Sequence, residues 1–227
     1  SSLRGPNLSF DVTKPDITGP GTSVMAAYTN DAGTPAGSSE VSFLSGTSMS
    51  SPHLAGSGTL VMQVHPDWTV SEVKSAIQLT AVQTTRMEDG VTPSTADVVG
   101  NGRVELTRAA LTGLVMDETI ENYIAADPAM GGDPATLNIP SMRSTSCSPT
   151  CSWTRTVRNV LAAGSEWNVA GNGNGFAVNV TPTNFALLPG DVLFSDGSET
   201  GGGANSSFQT LTITADGVAS GNVMAFG

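Results

Sequence analysis

The sequence predicts an α/β segment followed by an all-β sandwich. Three observations carry this reading. Between Pro52 and Ala81 the apolar residues recur at helical spacing. After about residue 132 the period switches to two, the spacing of strands. Between the two lies "DPAMGGDPATLNIP", with the Pro and Gly density of a connector. The expected organisation is an α/β unit over 1–114, a linker over 115–132 and a β unit over 133–227.

The elements follow in order. "KPDITGPGTSVMAAYTN" reads as an extended segment, a Pro-Gly turn and a short strand through Val24 and Ala26, because Pro15 and Pro20 exclude a helix. "DAGTPAGSSE" is a loop by composition, and "VSFLSG" is a short apolar run stopped by Gly46. Pro52 suits a first helical turn, where its missing N–H costs nothing. Leu54, Ala55, Gly58, Val61, Met62 and Val64 then give an apolar, small-residue helix that ends near "HPDW", since Pro66 disfavours helix at His65. Gly56 and Gly58 cost roughly 1 kcal/mol each against Ala, which predicts close packing around a buried central helix.

"TVSEVKSAIQLTA" opens with a capping-box pattern, Thr69 as N-cap and Glu72 as its partner. Val73, Ala76, Ile77 and Ala81 form the expected buried stripe. "GNGRVELTRAALTG" reads as a tight turn, a short strand or helix start, and a helical tail; residues 115–132 read as irregular. In the β unit, "SWTRTVRNV" places Trp153, Arg155, Val157 and Asn159 on one face. "FAVNVTP", "NFALLPGD" and "FQTLTITADG" are further strands, and "DGSETGGGANSS" is a flexible loop.

Charged residues make up only 13% of the 227, and the net charge is −11. Such a chain repels nucleic acid and anionic lipid, so neither is an expected partner. No apolar run approaches the roughly 18 residues of a membrane span. The chain opens at "SSLRGPN" with no initiator Met or signal-peptide pattern and stops at "GNVMAFG", so a piece of a longer chain is expected.

Cys147 and Cys151 stand in "CSPTC". No neighbouring His or Cys completes a zinc site, and a thioredoxin-like motif needs two intervening residues rather than three. A small disulfide, implying an oxidising compartment and secretion, is the leading reading; two free thiols on a loop is the other.

The chemistry concentrates in "FLSGTSMSSPHLAG". A nucleophilic serine works well at a helix start, where orphan N–H groups and the positive end of the macrodipole face the reacting carbonyl. Gly46-Thr47-Ser48-Met49-Ser50-Ser51-Pro52-His53-Leu54-Ala55-Gly56 resembles the nucleophile signature of subtilisin-like serine proteases, G-T-S-M-[AS]-x-P-H-[VL]-[AS]-G. "KPDITGPG" is similar to the family's K-P-D-I-x-A-P-G, with Gly19 where Ala is usual. "HPDWTVSEVKSAIQLTA" and "GNGRVELTRAAL" resemble its following helix and terminal segment, with Glu105 where Asn or Asp is usual. "SSLRGPN" resembles S-S-R-G-P-N with Leu3 inserted. "GLVMDETIENYI" and "LNIPSM…SWTRTVRNV" look like the cucumisin-type branch, in which a fibronectin type III-like domain follows the protease.

The resemblance implies the C-terminal portion of a subtilisin-like α/β fold, then a fibronectin type III-like sandwich. It implies Ser48 as nucleophile and, through its backbone N–H, as oxyanion donor. It implies protein or peptide substrates and no cofactor. A serine hydroxyl is weak until a base takes its proton. The only histidines are His53, whose counterpart is structural, and His65, an ordinary helix-end residue. Neither has the family's H-G-T-H-V-A-G context, and Asp16 matches a structural position. The catalytic Asp, His and oxyanion Asn are therefore expected from an upstream part of the same polypeptide.

Acidic loops at Asp127, Asp133, Asp191, Asp196 and Asp216 are calcium candidates without EF-hand spacing, and solvated carboxylates are their plain reading. "GNGNG" at 171–175 has neither the following helix nor the Lys of a phosphate loop and reads as a hairpin turn. Two functions remain: part of a secreted endopeptidase, or a binding β module attached to an inactive protease remnant.

Overall fold

The computed structural model describes residues 2–7, 9–28, 40–173, 176–189, 208–216 and 221–223. The expected flexible loop at 196–207 and most of the loop at 31–40 lie outside the described residues.

Strands β1 (Val24–Tyr28) and β2 (Glu40–Leu44) pair antiparallel, Val24 opposite Leu44. Helix α1 spans Thr47–Val64, so it begins five residues before the expected Pro52. Pro52 thus lies inside the helix and withholds the N–H that would bond the Ser48 carbonyl. The start is set by tertiary contact: the Gly46 N–H donates to the Gly21 carbonyl at 2.7 Å, and helix follows at once.

The expected burial of α1 is also corrected. Only Ser57 and Val61 are buried, while Leu60, Met62 and Val64 are 52%, 45% and 58% exposed. A Cβ at Gly56 or Gly58 would meet nothing within 4 Å. Among the described residues, α1 is covered on one side, by α2 (Val70–Leu79) and α4 (Leu106–Ala110).

Helix α2 carries the expected capping box: Thr69 Oγ1 accepts the Glu72 N–H at 3.0 Å and Glu72 Oε2 accepts the Thr69 N–H at 2.9 Å. Val73, Ala76 and Ile77 join Val61, Trp68, Val104, Ala109 and Val115 in one core. The short helix α3 (Ala96–Val99) leads into the Gly100–Gly102 turn.

The stretch expected to be irregular is ordered. β3 (Leu114–Val115) ends in a fully buried Val115, and α5 (Ile120–Ala125) starts at a Thr119 N-cap whose hydroxyl accepts the Asn122 N–H. A six-residue helix is too short to show a period. Two single-turn 3₁₀ helices follow at Pro128–Met130 and Pro134–Thr136, each opened by an Asp-Pro pair.

The second half is antiparallel β, with β4 (Met142–Ser144), β5 (Thr150–Asn159), β6 (Ser165–Asn168), β7 (Ala177–Thr181), β8 (Asn184–Leu187), β9 (Phe208–Asp216) and β10 (Gly221–Val223). A four-stranded sheet runs β3-β5-β9-β7, beside the ribbons β6-β8 and β4-β10. Trp153, Arg155, Val157 and Asn159 share one face, as their alternation predicted, and that face is the buried one. Trp153 and Val157 pack with Leu211, Ile213, Ala215, Val180 and Met142 in a second core. Ser71 Oγ donates to the Glu118 carbonyl and the Met116 N–H donates to Ser75 Oγ, both at 2.9 Å, tying α2 to the residues after β3.

Candidate active site

The placement of Ser48 begins with a turn far along the chain. Gly100 adopts φ 63°, and a Cβ there would lie 2.4 Å from the Asp16 carbonyl; at Gly102, φ 124°, it would lie 2.5 Å from the Val82 carbonyl oxygen. Because both residues are glycine, the backbones close up. The Asn101 N–H donates to the Asp16 carbonyl at 3.0 Å, the Thr18 N–H to the Gly102 carbonyl at 2.8 Å, and the Val104 N–H to the Thr18 carbonyl at 3.0 Å.

Residues 16–18 are thereby held, and Gly19-Pro20-Gly21 passes directly beside the first turn of α1. A Cβ at Gly21 would lie 2.8 Å from the Gly46 carbonyl oxygen. Ser50 Oγ donates to the Gly19 carbonyl at 2.9 Å, and the Ser23 N–H donates to Ser45 Oγ at 2.8 Å.

Ser48 is the second residue of α1 and is exposed. The Gly46 carbonyl accepts the N–H groups of Met49 at 3.1 Å and Ser50 at 3.2 Å. The N–H groups of Thr47 and Ser48 have no partner among the described residues. No acidic side chain occupies the first turn. Unpaired donors and the positive end of the helix dipole therefore lie in the same turn as Ser48, an arrangement suited to a developing oxyanion.

Both imidazoles are engaged elsewhere. His53 Nδ1–H donates to the Met49 carbonyl at 2.7 Å. His65 Nε2–H donates to the Ala110 carbonyl at 2.8 Å, and its ring stacks on Trp68 with centroids 3.8 Å apart. No hydrogen bond among the described residues joins either ring to Ser48. Asp16 pairs with Lys14 at 2.7 Å and lies 3.6 Å from the Lys74 ammonium, as a structural acid would. A groove of about 290 Å³ runs between α1 and α2, lined by Leu54, Met62, Val70 and Ile77. It follows the helix flank rather than the Ser48 turn.

The remaining sequence candidates lie apart from this turn. Cys147 and Cys151 are joined with S–S 2.01 Å at the start of β5. Asp127 and Asp133 cap the two 3₁₀ turns, each Oδ1 accepting an Ala N–H at 2.9 Å. Asp216 Oδ2 accepts from Asn179 Nδ2 at 3.2 Å, and Asp191 and Asp196 lie outside the described residues. No group of three or more His, Cys, Asp or Glu residues able to hold a metal occurs among the described residues. Of "GNGNG", residues 171–173 lie just before β7, and 174–175 fall outside the described residues. The clamp by Gly19, Gly21 and Ser50 carries no local sequence signal, since Ser50 and Gly19 stand 31 positions apart.

The family model for the subtilase family matches residues 1–103. Subtilisin-like protease SBT1.7 of Arabidopsis thaliana is 36% identical over 165 residues, covering 67% of this chain and 22% of that protein. Subtilisin-like protease SBT4.13 of the same plant is 34% identical over 215 residues, covering 80% of this chain and 29% of that protein, so the likeness extends past residue 103. The CO(2)-response secreted protease of Arabidopsis thaliana is 38% identical over 135 residues, covering 54% of this chain and 17% of that protein. The chain thus spans less than a third of the length of these relatives.

Proposed function

Because residues 1–103 match the family model of the subtilase family, we propose that the chain is part of a secreted serine endopeptidase whose nucleophile is Ser48. The observation that carries this is the placement of Ser48. It is an exposed hydroxyl in the first turn of α1, beside two N–H groups with no partner among the described residues.

In the proposed reaction Ser48 Oγ attacks the scissile carbonyl of a protein or peptide. Its proton passes to a histidine, and the carbonyl oxygen becomes an oxyanion facing the Ser48 N–H. Collapse expels the amine, which takes the proton from the histidine, and leaves an acyl-enzyme on Ser48. Water then hydrolyses the ester by the reverse proton path. The histidine, the carboxylate that orients it and the oxyanion asparagine come from an upstream part of the same polypeptide. The exposed flank of α1, with Leu60, Met62 and Val64 uncovered and space at Gly56 and Gly58, is where that part would pack.

The β half is read as a fibronectin type III-like domain beginning near residue 133, with Leu114–Val115 adding an edge strand to its sheet from the preceding segment. Its antiparallel strands and single apolar core support this reading. Secretion is supported by the name of one relative and by the Cys147–Cys151 bond. No helix among the described residues is long and apolar enough to cross a membrane.

The test is peptide hydrolysis by the full-length protein and its Ser48→Ala variant. Turnover should fall by about six orders of magnitude, the scale on which subtilisin responds to loss of its nucleophile. Unchanged turnover in the variant would reject Ser48. A full-length protein with no hydrolysis at all would favour the β module attached to an inactive remnant.

A further inference from the structure

We propose that Gly21 is a positioning residue for Ser48: having no side chain, it lets its segment lie against the Gly46 carbonyl from which the first turn of α1 hangs. The inference rests on Ser48 being the nucleophile. Three bonds stitch residues 19–23 to the turn at 45–50. Ser50 Oγ donates to the Gly19 carbonyl at 2.9 Å, the Gly46 N–H to the Gly21 carbonyl at 2.7 Å, and the Ser23 N–H to Ser45 Oγ at 2.8 Å. Gly21 is the middle stitch, and its bond runs backbone to backbone.

The contact leaves no room for a side chain. A Cβ at Gly21 would lie 2.8 Å from the Gly46 carbonyl oxygen and 3.0 Å from Ser50 Cβ. Neither atom is the free end of a flexible side chain, so backbone would have to move. The segment cannot simply draw back, because the bonds at Gly19 and Ser23 hold it on either side. Ser23 also sits at φ 50°, in the left-handed region that a residue with a Cβ adopts only where its surroundings force it. The displaced group would therefore be the Gly46 carbonyl. That carbonyl accepts the Met49 and Ser50 N–H groups at 3.1 and 3.2 Å, so it anchors the first turn. The Ser48 hydroxyl and N–H belong to that turn and would swing with it. Gly19, two positions earlier, differs. A Cβ there would meet side-chain atoms, Leu54 at 3.0 Å and Ser50 Oγ at 3.1 Å, and both can turn aside. The signature K-P-D-I-x-A-P-G has the same order, with Ala at the position of Gly19 and Gly at that of Gly21.

The test compares wild type, Gly21→Ala and Gly19→Ala in the full-length protein, using hydrolysis of a peptide amide, a thermal melt and titration of active sites with a fluorophosphonate. The titration counts folded, competent sites, so kcat per titrated site discounts any fraction of Gly21→Ala that misfolds. Per site, Gly21→Ala should lower kcat by about ten- to a hundred-fold, with KM within about two-fold of wild type. Gly19→Ala should keep both constants within about two-fold. A Gly21→Ala kcat per site equal to wild type, a Gly19→Ala protein as slow as Gly21→Ala, or a loss that falls on KM alone overturns the inference. So does a Gly21→Ala chain that does not fold at all, since the methyl is then a fault of the whole fold and not of one turn. A wild-type protein that neither hydrolyses the amide nor labels at Ser48 overturns the nucleophile assignment first, and this inference with it.

Discussion

Glu72 divides its carboxylate between the two halves of the chain: Oε2 accepts the Thr69 N–H that opens α2, and Oε1 accepts Arg158 Nε of β5 at 2.6 Å. The Arg158 Nη2 lies 2.5 Å from the same oxygen, and the two side chains are 5% and 19% exposed. A buried pair adds little net stability over an apolar one, yet removing one partner is costly because the other charge stays behind.

Arg158→Met should therefore lower the unfolding free energy of the chain by about 3 kcal/mol. Glu72→Gln should cost less, since the amide keeps an acceptor for Thr69 and the partly exposed Arg158 can reach water. Denaturant titration of the two variants checks this. Equal stability of Arg158→Met and the parent would contradict it.

Arg155 holds a more demanding position. It is 1% exposed, and burial lowers its pKa to about 10. Its guanidinium donates to the carbonyls of Ile139 at 2.7 Å, Ala135 at 3.2 Å, Thr154 at 2.8 Å and Ser141 at 3.2 Å. An ammonium cannot span that fork. Arg155→Lys should destabilise by about 3 kcal/mol, most of it from carbonyls left without donors. A denaturation midpoint unchanged by the Lys substitution would refute this.

Tyr123 gives a prediction about pH. Burial, then the negative charges of Glu118, Asp16 and Asp117, raise its pKa above the ordinary phenol value. The folded state therefore keeps the proton longer than the unfolded state. Its contribution is fully present below about pH 10, the unfolded pKa, and is lost as pH rises through the folded pKa. An absorbance titration of phenolate, with Tyr123→Phe as the difference, should place this residue above pH 10. Titration at or below that value would show that the burial is not felt.

The bond between Cys147 and Cys151 predicts that unreduced protein offers no alkylatable thiol and that reduction exposes two. Mass spectrometry after alkylation reads this directly. Two modified cysteines without reductant would reject the bond and weaken the case for secretion.

Local chemistry was legible in the sequence wherever it sufficed. The capping box at Thr69 and Glu72 needs only two residues three apart, and the alternation from Trp153 to Asn159 needs only a pleat. Features set by distant partners were not legible. The start of α1 at Thr47 depends on Gly46 meeting Gly21, so reading Pro52 as the opening residue placed it late. The glycines at 56 and 58 suggested close packing that the described residues do not supply. Helix α5 and strands β4 and β10 are too short to carry a period. At the site, the signature exposed Ser48, while the bond from Ser50 to Gly19 required the fold.

The most direct test of Ser48 as a nucleophile whose base comes from upstream is labelling with a fluorophosphonate probe, mapped by peptide mass. Full-length protein should carry one adduct, on Ser48. The 227-residue chain should carry none, because His53 and His65 are bonded elsewhere and a serine without a base reacts slowly. Rapid labelling of Ser48 in the 227-residue chain, or an adduct on another serine of the full-length protein, would contradict the account.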